Sequence, residues 1–365
     1  MATALAAVAV EPRRTELREF PLPEIPPDAG LLRIEAAGMC GSDWPMYLSA
    51  KPGPRILGHE MIGIIEKLGD VARARWGVAE GDVVALEEYL PCGHCEYCRS
   101  GEYRSCLETD TRVAGSVRYG STPLTQAPAL WGGYAQYLYM HPRTVLHRVP
   151  PGIKPHVAAM ALPLGNGFQW AYLDGAAGPG KTVVIMGPGQ QGLGCLVAAK
   201  AAGSASIIVA GLARDAHRLA VAKELGADHC VAVDQEDLAG AVTRATGGRL
   251  ADIVIDASSG GAATVNPALG LLRKRGTLIM AARKGAIAGF DLDQVINKQI
   301  LLRGTRGHSY AAVELALQTM AAGTLPLERI STHVIGLSEV DAGLKMIGGE
   351  SQVRSIHITV APWES

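Results

Sequence analysis

The chain has 365 residues, a formal net charge of −1 at neutral pH and 48% hydrophobic residues. This length suits about two domains of roughly 150 residues each, and the apolar content is enough for each domain to bury its own core. The balanced charge, without a long basic or acidic run or a stretch of about 18 apolar residues, speaks against nucleic acid or a membrane as a partner.

The first part of the chain, residues 1–155, is predicted to form a β-rich catalytic domain. Short strand-like runs are separated by Pro and Gly, as at Leu31–Ile34, Ile62–Ile65 and Val83–Leu86. The apolar start, Met1–Val10, is too short for a signal peptide and lacks a basic leader, so it is interpreted as a first strand. Helical periodicity is confined to Cys40–Tyr47 and to a cluster of cysteines.

Two short motifs in this part carry the side chains of a candidate catalytic metal site. They are Gly38-Met-Cys40-Gly-Ser42-Asp43 and Gly58-His59-Glu60. Coming from separate strands, the thiolate of Cys40, the imidazole of His59 and the carboxylate of Glu60 could converge on a zinc ion that keeps an open position. Such an ion polarises a carbonyl or lowers the pKa of an alcohol. Asp43 is expected to hold the far nitrogen of His59, and Ser42 to relay the alcohol proton.

Four of the seven cysteines lie close together, in a lobe of about residues 88–110. They are Cys92, Cys95, Cys98 and Cys106. A structural zinc site needs four soft ligands in a closed tetrahedron, and short spacings let one loop supply them. We expect a cytoplasmic protein, in which such crowding indicates a metal rather than disulfides. A zinc ribbon or an iron–sulfur site is the alternative, but ribbons usually split their ligands into two distant pairs.

The middle of the chain, residues 156–302, is predicted to be a nucleotide-binding domain with a doubly wound parallel sheet. Its predicted strands are Thr182–Met186, Ser206–Ala210, Ile253–Asp256 and Thr277–Met280, and its predicted helices are Gly192–Ala202 and Asp215–Leu225. Residues 303–365 are predicted to return to the first domain, with a helix at Ala311–Ala322 and strands at Val334–Leu337 and Ser355–Val360.

A glycine-rich turn follows the strand Thr182–Met186 and begins the next helix. Its sequence is Gly187-Pro188-Gly189-Gln190-Gln191-Gly192. In this context the glycines permit a tight turn and a close approach of the pyrophosphate, which binds at the helix N-terminus. The turn is therefore predicted to bind NAD or NADP.

The end of the second strand indicates which of the two cofactors is preferred. An acidic residue normally binds the ribose diol there, but this chain has Gly211, followed by Arg214. Without the acid, a 2′-phosphate meets less repulsion and an arginine can bind it, so NADP is favoured over NAD. Asp215 is the counter-argument, because it could take the diol position, neutralise Arg214, or only cap the next helix.

Taken together and in this order, these motifs resemble the zinc-containing medium-chain dehydrogenase/reductase superfamily of alcohol and polyol dehydrogenases. The resemblance covers essentially the whole chain and includes Gly58-His-Glu-x2-Gly63-x5-Gly69. It implies an α/β protein with a GroES-like catalytic domain, a Rossmann domain, an active site between them, and a homodimer or homotetramer. It also implies that Cys40 and His59 bind a catalytic zinc, that Glu60 can join them, and that the four clustered cysteines bind a structural zinc.

The chain departs from this superfamily at one position. A further zinc ligand, Cys or Glu, is expected at the start of the nucleotide domain, and here Leu162 or Asn166 stands in its place. Leucine cannot bind zinc, and an amide oxygen is a weak ligand. Either Glu60 completes the site, or the catalytic zinc is loosely bound, or it is absent.

The sequence therefore predicts a zinc-dependent alcohol dehydrogenase or carbonyl reductase. Hydride would pass between the carbinol carbon of a small substrate and the nicotinamide C4, with Ser42 or water accepting the alcohol proton. One alternative is an NADPH-dependent reductase without catalytic zinc, acting on activated carbonyls or double bonds. A non-catalytic nucleotide-binding protein is the other, although such a protein has no need for Cys40, Ser42, Asp43 and His59 together.

Overall fold

The structure is a computed structural model, and it describes residues 2–49, 53–109, 113 and 115–364. Within these ranges the chain forms sixteen strands: β1 (Thr3–Glu11), β2 (Arg14–Pro21), β3 (Gly30–Gly38), β4 (Arg55–Ile56), β5 (Glu60–Leu68), β6 (Val83–Leu86), β7 (Tyr137–Met140), β8 (Leu146–Arg148), β9 (Thr182–Met186), β10 (Ser206–Gly211), β11 (His229–Ala232), β12 (Ala251–Asp256), β13 (Leu272–Met280), β14 (Leu301–Gly304), β15 (Ser331–Ile335) and β16 (His357–Val360).

The described residues also form twelve α-helices, most of them short. They are α1 (Asp43–Tyr47), α2 (Asp70–Trp76), α3 (Glu96–Arg99), α4 (Pro155–Ala158), α5 (Ala161–Gly167), α6 (Gln190–Ala201), α7 (Ala216–Glu224), α8 (Leu238–Ala245), α9 (Val265–Leu271), α10 (Leu292–Lys298), α11 (Tyr310–Ala322) and α12 (Val340–Ile347). A π-helix, Phe168–Asp174, continues α5. Within the part of the chain that the structure describes, no helix is long and apolar enough to cross a membrane.

The chain divides into two compact units. The first contains Met1–Leu162 and Ser331–Ser365, and the second contains Pro163–Ile330. Both predicted boundaries are therefore too early. The first falls after residue 162 rather than 155, because α4 packs on β3 and β5. The second falls after residue 330 rather than 302, because β14 extends the second unit's sheet and α11 packs on its π-helix.

The first unit is built on β-sheets, as predicted. A seven-stranded sheet has the order β15-β16-β3-β5-β6-β8, with β7 also paired to β3, and a three-stranded sheet has the order β2-β1-β4. The alternating apolar residues of β1 and β3 supply much of the core, including Val8, Leu32 and Ile34, which are fully buried. The C-terminal strand β16 pairs with β3, so the end of the chain contributes to the same sheet as the motif around Cys40.

The second unit contains one six-stranded parallel sheet with the order β11-β10-β9-β12-β13-β14. Counted from β9, this is the strand order 3-2-1-4-5-6 of a doubly wound nucleotide-binding sheet. The predicted α/β fold is confirmed. The chain adds strands on one side of β9 up to β11 and then on the other side from β12, and ligands of such sheets bind at the carboxyl ends of the strands at this switch in strand order.

Candidate active site and metal centres

Strand register brings together the three side chains of the candidate catalytic metal site. Gly38, at the end of β3, pairs with Glu60, at the start of β5. Cys40 lies two residues beyond Gly38 and His59 lies one residue before Glu60, so all three side chains meet at one end of the strand pair. Their candidate ligand atoms lie within 4.8 Å of one another. Sulfur, imidazole and carboxylate are the donor types that zinc binds, so the residues fit this ion.

Without a bound cation, the surroundings of this site disfavour the protonation states that bind a metal, a Cys40 thiolate and a neutral His59. The pKa of the Cys40 thiol is raised, first by burial and then by the charge of Glu60. Burial lowers the pKa of His59, but the charges of Asp43 and Glu88 outweigh it and raise the pKa well above 6.5. A bound cation reverses this balance, because it stabilises a thiolate and a neutral imidazole.

The carboxylate of Asp43 contacts both His59 and the backbone of Cys40. Its Oδ1 lies 3.2 Å from Nδ1 of His59, and its Oδ2 accepts hydrogen bonds from the Cys40 N–H at 3.0 Å and from the Tyr134 hydroxyl at 2.7 Å. Asp43 is fully buried, so these contacts have little competition from water. With Nδ1 turned to Asp43, Nε2 is the His59 nitrogen available to a metal ion.

Ser42, the predicted proton relay, lies beside His59. It precedes α1 and is exposed, and its Oγ lies 3.4 Å from Nε2 of His59. A hydroxyl in contact with both the candidate site and solvent can pass a proton outward.

Leu162 and Asn166 stand at the positions where the sequence analysis expects a further metal ligand. Leu162 is buried and apolar. Within the second unit, Oδ1 of Asn166 lies 2.9 Å from Nδ1 of His308, which engages its one side-chain oxygen. The carboxylate of Glu60, which is one of the alternatives left open by the sequence, lies within 4.8 Å of the candidate ligand atoms of Cys40 and His59.

The four clustered cysteines form a second donor set. The Sγ atoms of Cys92, Cys95, Cys98 and Cys106 lie within 4.8 Å of one another. Two of the separations are 3.5 Å, between Cys95 and Cys98, and 3.9 Å, between Cys92 and Cys98. A tetrahedron with zinc–sulfur bonds of about 2.3 Å has edges of about 3.8 Å, so the cluster fits a zinc ion. All seven cysteines are described, and all have free thiols.

Backbone amides of the loop stabilise thiolates in this cluster. Hydrogen bonds from the N–H groups of Cys98 and Leu107 lower the pKa of Cys95 to about 6. Burial raises the pKa of Cys106, but N–H groups of Cys92 and Glu108 contribute to a net lowering. Burial and the neighbouring thiols of Cys95 and Cys106 raise the pKa of Cys98, so only part of the cluster is stabilised as thiolate by the protein itself.

A buried polar triad ties the cysteine lobe to the sheet. Tyr103, in a short turn before Cys106, donates a hydrogen bond of 2.5 Å to Oε1 of Glu87, and Nε2 of His147 lies 3.0 Å from the same oxygen. Glu87 follows β6 and His147 lies on β8. Asp110, at the end of the predicted lobe, lies outside the described residues.

The predicted nucleotide turn lies at the carboxyl end of β9, beside the switch in strand order between β9 and β12. Gly187 has a φ of 101°, and a Cβ there would lie 2.9 Å from the Cα of Ser258. A Cβ on Gly192 would overlap the carbonyl oxygen of Gly187, so the turn requires both glycines. Gly189 is the N-cap of α6 and has open space beside it, and Gln190 and Gln191 form the first residues of that helix. This cradle fits a pyrophosphate.

The end of β10 has a structural reason for its glycine. A Cβ on Gly211 would lie 2.7 Å from Cγ of Pro188. Pro188, in the glycine-rich turn, therefore occupies the space that an acidic side chain at position 211 would need. Arg214 lies just beyond and is exposed. Asp215 accepts hydrogen bonds from the N–H of Leu212 at 3.2 Å and from Arg218 at 3.0 Å, so its carboxylate is engaged locally rather than by Arg214.

Sequence reasoning missed several polar residues near these sites. Tyr134 and His357 border the Cys40 site, and a buried network joins Lys284 to Asp256 at the carboxyl end of β12, with Nζ 2.9 Å from Oδ1. Asp256 also accepts a hydrogen bond of 2.6 Å from Ser258, which borders Gly187. An aspartate ending an apolar strand could have indicated this network, but nothing local in sequence pairs it with Lys284.

The parallel sheet with its glycine turn and the Cys–His–Glu donor set are the features that the sequence analysis expects of a nicotinamide-dependent oxidoreductase. Residues 26–151 match the family of alcohol dehydrogenase GroES-like domains, and residues 192–322 match the zinc-binding dehydrogenase family. A probable alcohol dehydrogenase of Mycobacterium tuberculosis is 37% identical and covers 98% of both chains. An erythritol/L-threitol dehydrogenase of Mycolicibacterium smegmatis is 30% identical and covers 98% of this chain and 97% of its own.

Solved structures agree with these relatives. An alcohol dehydrogenase of Thermotoga maritima superposes with a TM-score of 0.86 at 25% identity, over 99% of this chain and 100% of its own. The chain belongs to the zinc-binding dehydrogenases of the medium-chain dehydrogenase/reductase superfamily. It is an NAD(P)-dependent oxidoreductase of the alcohol dehydrogenase type.

Proposed function

We propose that this protein catalyses reversible, zinc-dependent hydride transfer. It would oxidise a small alcohol to the aldehyde or ketone with NADP⁺, and reduce the same carbonyl compound with NADPH. The convergence of Cys40, His59 and Glu60, with Asp43 behind them, carries the proposal. The names of the relatives, an alcohol dehydrogenase and a tetritol dehydrogenase, support a hydroxyl-bearing substrate.

Each residue of the site has a distinct task. Cys40, His59 and Glu60 would bind a zinc ion, which when bound polarises the substrate oxygen and lowers the pKa of an alcohol. Asp43 orients His59 and keeps Nε2 directed at the site, while Tyr134 and the Cys40 N–H fix Asp43. Ser42 accepts the alcohol proton and passes it to water. The four-cysteine cluster would bind a second, structural zinc.

The experiment that tests this function is a turnover assay with NADP⁺ and a panel of primary alcohols, secondary alcohols and short polyols. We expect oxidation of at least one class and reduction of the corresponding carbonyl compound by NADPH. The departure at Leu162 favours a second candidate, a reductase without catalytic zinc. Undiminished carbonyl reduction after removal of every zinc outside the four-cysteine cluster would select that candidate.

The proposed preference for NADP depends on Arg214. We expect Arg214→Ala to weaken NADPH binding about 10-fold or more, since a charge-assisted hydrogen bond to phosphate is worth about 1.5–3 kcal/mol. NADH binding should change little, because NADH has no 2′-phosphate. Nicotinamide fluorescence titration measures both constants. Arg249→Ala is the matched control, since Arg249 is also exposed but precedes β12, at the other end of the strands. Equal losses for both cofactors would contradict the preference.

A homodimer or homotetramer is also part of the proposal, and its support comes from the sheet edge at β14. Every residue of β14 is exposed, with Leu301 57% and Leu302 42% accessible, and the nearby Ile296 is 62% accessible. An apolar edge strand with unpaired backbone groups invites pairing, and antiparallel pairing of two copies would satisfy both edges at once.

We expect the double substitution Leu301→Glu and Leu302→Glu to produce monomers. Two carboxylates on each edge would repel those of the second copy and would resist burial. Light scattering after size-exclusion chromatography measures the mass. Val233→Glu, just after the opposite edge strand β11, is the control and should keep the oligomer. A wild-type monomer would contradict this part of the proposal.

We also propose a cytoplasmic location, because the thiolates of two zinc sites are kept reduced in that compartment.

A further inference from the structure

The buried side chain of His357 faces the carboxylate of Glu60 across the sheet of the first unit. In the register of three neighbouring strands, Thr359 of β16 pairs with Gly38 of β3, and Gly38 pairs with Glu60 of β5. His357 lies two residues before Thr359 and therefore shares its face of the sheet. Its Nε2 lies 3.8 Å from Oε2 of Glu60.

The glycine between the two side chains makes this approach possible. A Cβ on Gly38 would lie 2.6 Å from Nε2 of His357 and 2.7 Å from Oε2 of Glu60. Both distances are shorter than a real Cβ contact, so any larger residue would push the two groups apart. The absence of a side chain at Gly38 therefore lets His357 pack beside Glu60, one of the candidate metal ligands.

The other ring nitrogen of His357 also has a polar neighbour, a hydroxyl that can act as donor or acceptor. Oγ1 of Thr359 lies 3.3 Å from Nδ1 of His357. A hydroxyl that donates to Nδ1 leaves the ring proton on Nε2, directed at Glu60. His357 is 1% exposed, and among the described residues its Nε2 has no hydrogen-bond partner. A buried donor without an acceptor is unfavourable, and a small rotation of the Glu60 carboxylate would supply one.

We infer that His357 is a positioning residue for the catalytic zinc site, acting by holding one carboxylate oxygen of Glu60 and leaving the other for the ion. The inference rests on the proposed function, in which Cys40, His59 and Glu60 bind zinc. Because Leu162 has no donor atom and the amide of Asn166 is a weak zinc ligand, the ion depends on the orientation of Glu60. Hydrogen-bond partners of metal ligands typically contribute 10–100-fold to metal affinity.

The test measures the affinity of the catalytic site for zinc by competition with a chromophoric chelator. We expect His357→Leu to weaken zinc binding at this site about 10–100-fold, while the four-cysteine site keeps its zinc. His357→Gln retains an N–H donor at a similar reach and should recover most of the affinity. His357→Asn, whose amide is too short to reach Glu60, should resemble His357→Leu and replaces it if the leucine variant does not fold.

A matched control separates positioning from stability. Ile358 is fully buried on the same strand but points to the other face, so Ile358→Ala should lower the melting temperature without weakening this zinc site. Wild-type zinc affinity in both His357→Leu and His357→Asn would overturn the inference, as would an equal loss in Ile358→Ala. A wild-type protein that binds zinc only at its four cysteines would overturn the proposed function, and the inference with it.

Discussion

Cys40→Ala is expected to lower kcat/KM for alcohol oxidation by at least about 1,000-fold. The substitution removes the one soft ligand of the catalytic donor set and leaves His59 and Glu60, which are too few for firm zinc binding. Polarisation of the substrate oxygen contributes several kcal/mol to the transition state, and each 1.36 kcal/mol is tenfold in rate. Steady-state kinetics with NADP⁺ measures the loss.

Two controls limit the interpretation of this result. NADPH binding should be unchanged in Cys40→Ala, because the glycine turn Gly187–Gly192 belongs to the second unit. Cys230→Ala removes another half-buried thiol and should keep full activity. If Cys40→Ala retained most of its turnover, zinc-dependent hydride transfer at this site would have to be abandoned.

Cys106→Ser is expected to remove the structural zinc and to destabilise the protein. Cys106 is the buried member of the cluster, and the lobe around it consists of the four-residue helix α3, which has no buried residue, and a three-residue turn in which Tyr103 is buried. A structural zinc contributes directly to folding, and a loss of about 3 kcal/mol would lower the melting temperature by roughly 6–12 °C. Calorimetry measures the shift, and elemental analysis measures the zinc.

Ser100→Ala is the control within the same lobe. Ser100 is exposed and its hydroxyl donates a hydrogen bond to the carbonyl of Tyr97 in its own turn, so both zinc content and melting temperature should remain near the wild-type values after its removal. Limited proteolysis should cut Cys106→Ser, but not Ser100→Ala, near residues 92–106. An unchanged melting temperature in a zinc-free Cys106→Ser protein would show that the lobe does not need the metal for its structure.

Local patterns in the sequence were sufficient to predict the fold. The strand β9 has the predicted bounds, Thr182–Met186, because a continuous apolar run followed by glycine has one favourable interpretation. Shorter or more polar elements were missed. Helices α8 and α10 are only eight and seven residues long and begin at aspartate caps, and β14 is exposed along its whole length, so each is too short or too exposed to be recognised from a local pattern.

Long-range geometry could not be predicted from the same patterns. The second boundary between the two units lies before Ser331, after the prediction of residue 302, because β14 pairs with β13 of the second unit. No local property of Leu301–Gly304 indicates which sheet this strand joins. His357 and Glu60 are nearly 300 residues apart in the sequence. They approach each other because β16 pairs with β3 and β3 pairs with β5. The contact of Pro188 with Gly211 likewise gives the glycine a packing role, in addition to its proposed role in cofactor choice.

Zinc content and activity, measured in the same samples during graded removal of metal, test the central claim most directly. The four-cysteine site has more thiolate ligands and should hold its zinc longer than the Cys40 site. We predict two zinc ions per chain in the untreated protein, and activity that falls in proportion to the first ion lost and returns when zinc is restored. Full activity in a protein that holds one zinc per chain, with Cys40 free to react with a thiol reagent, would contradict the account.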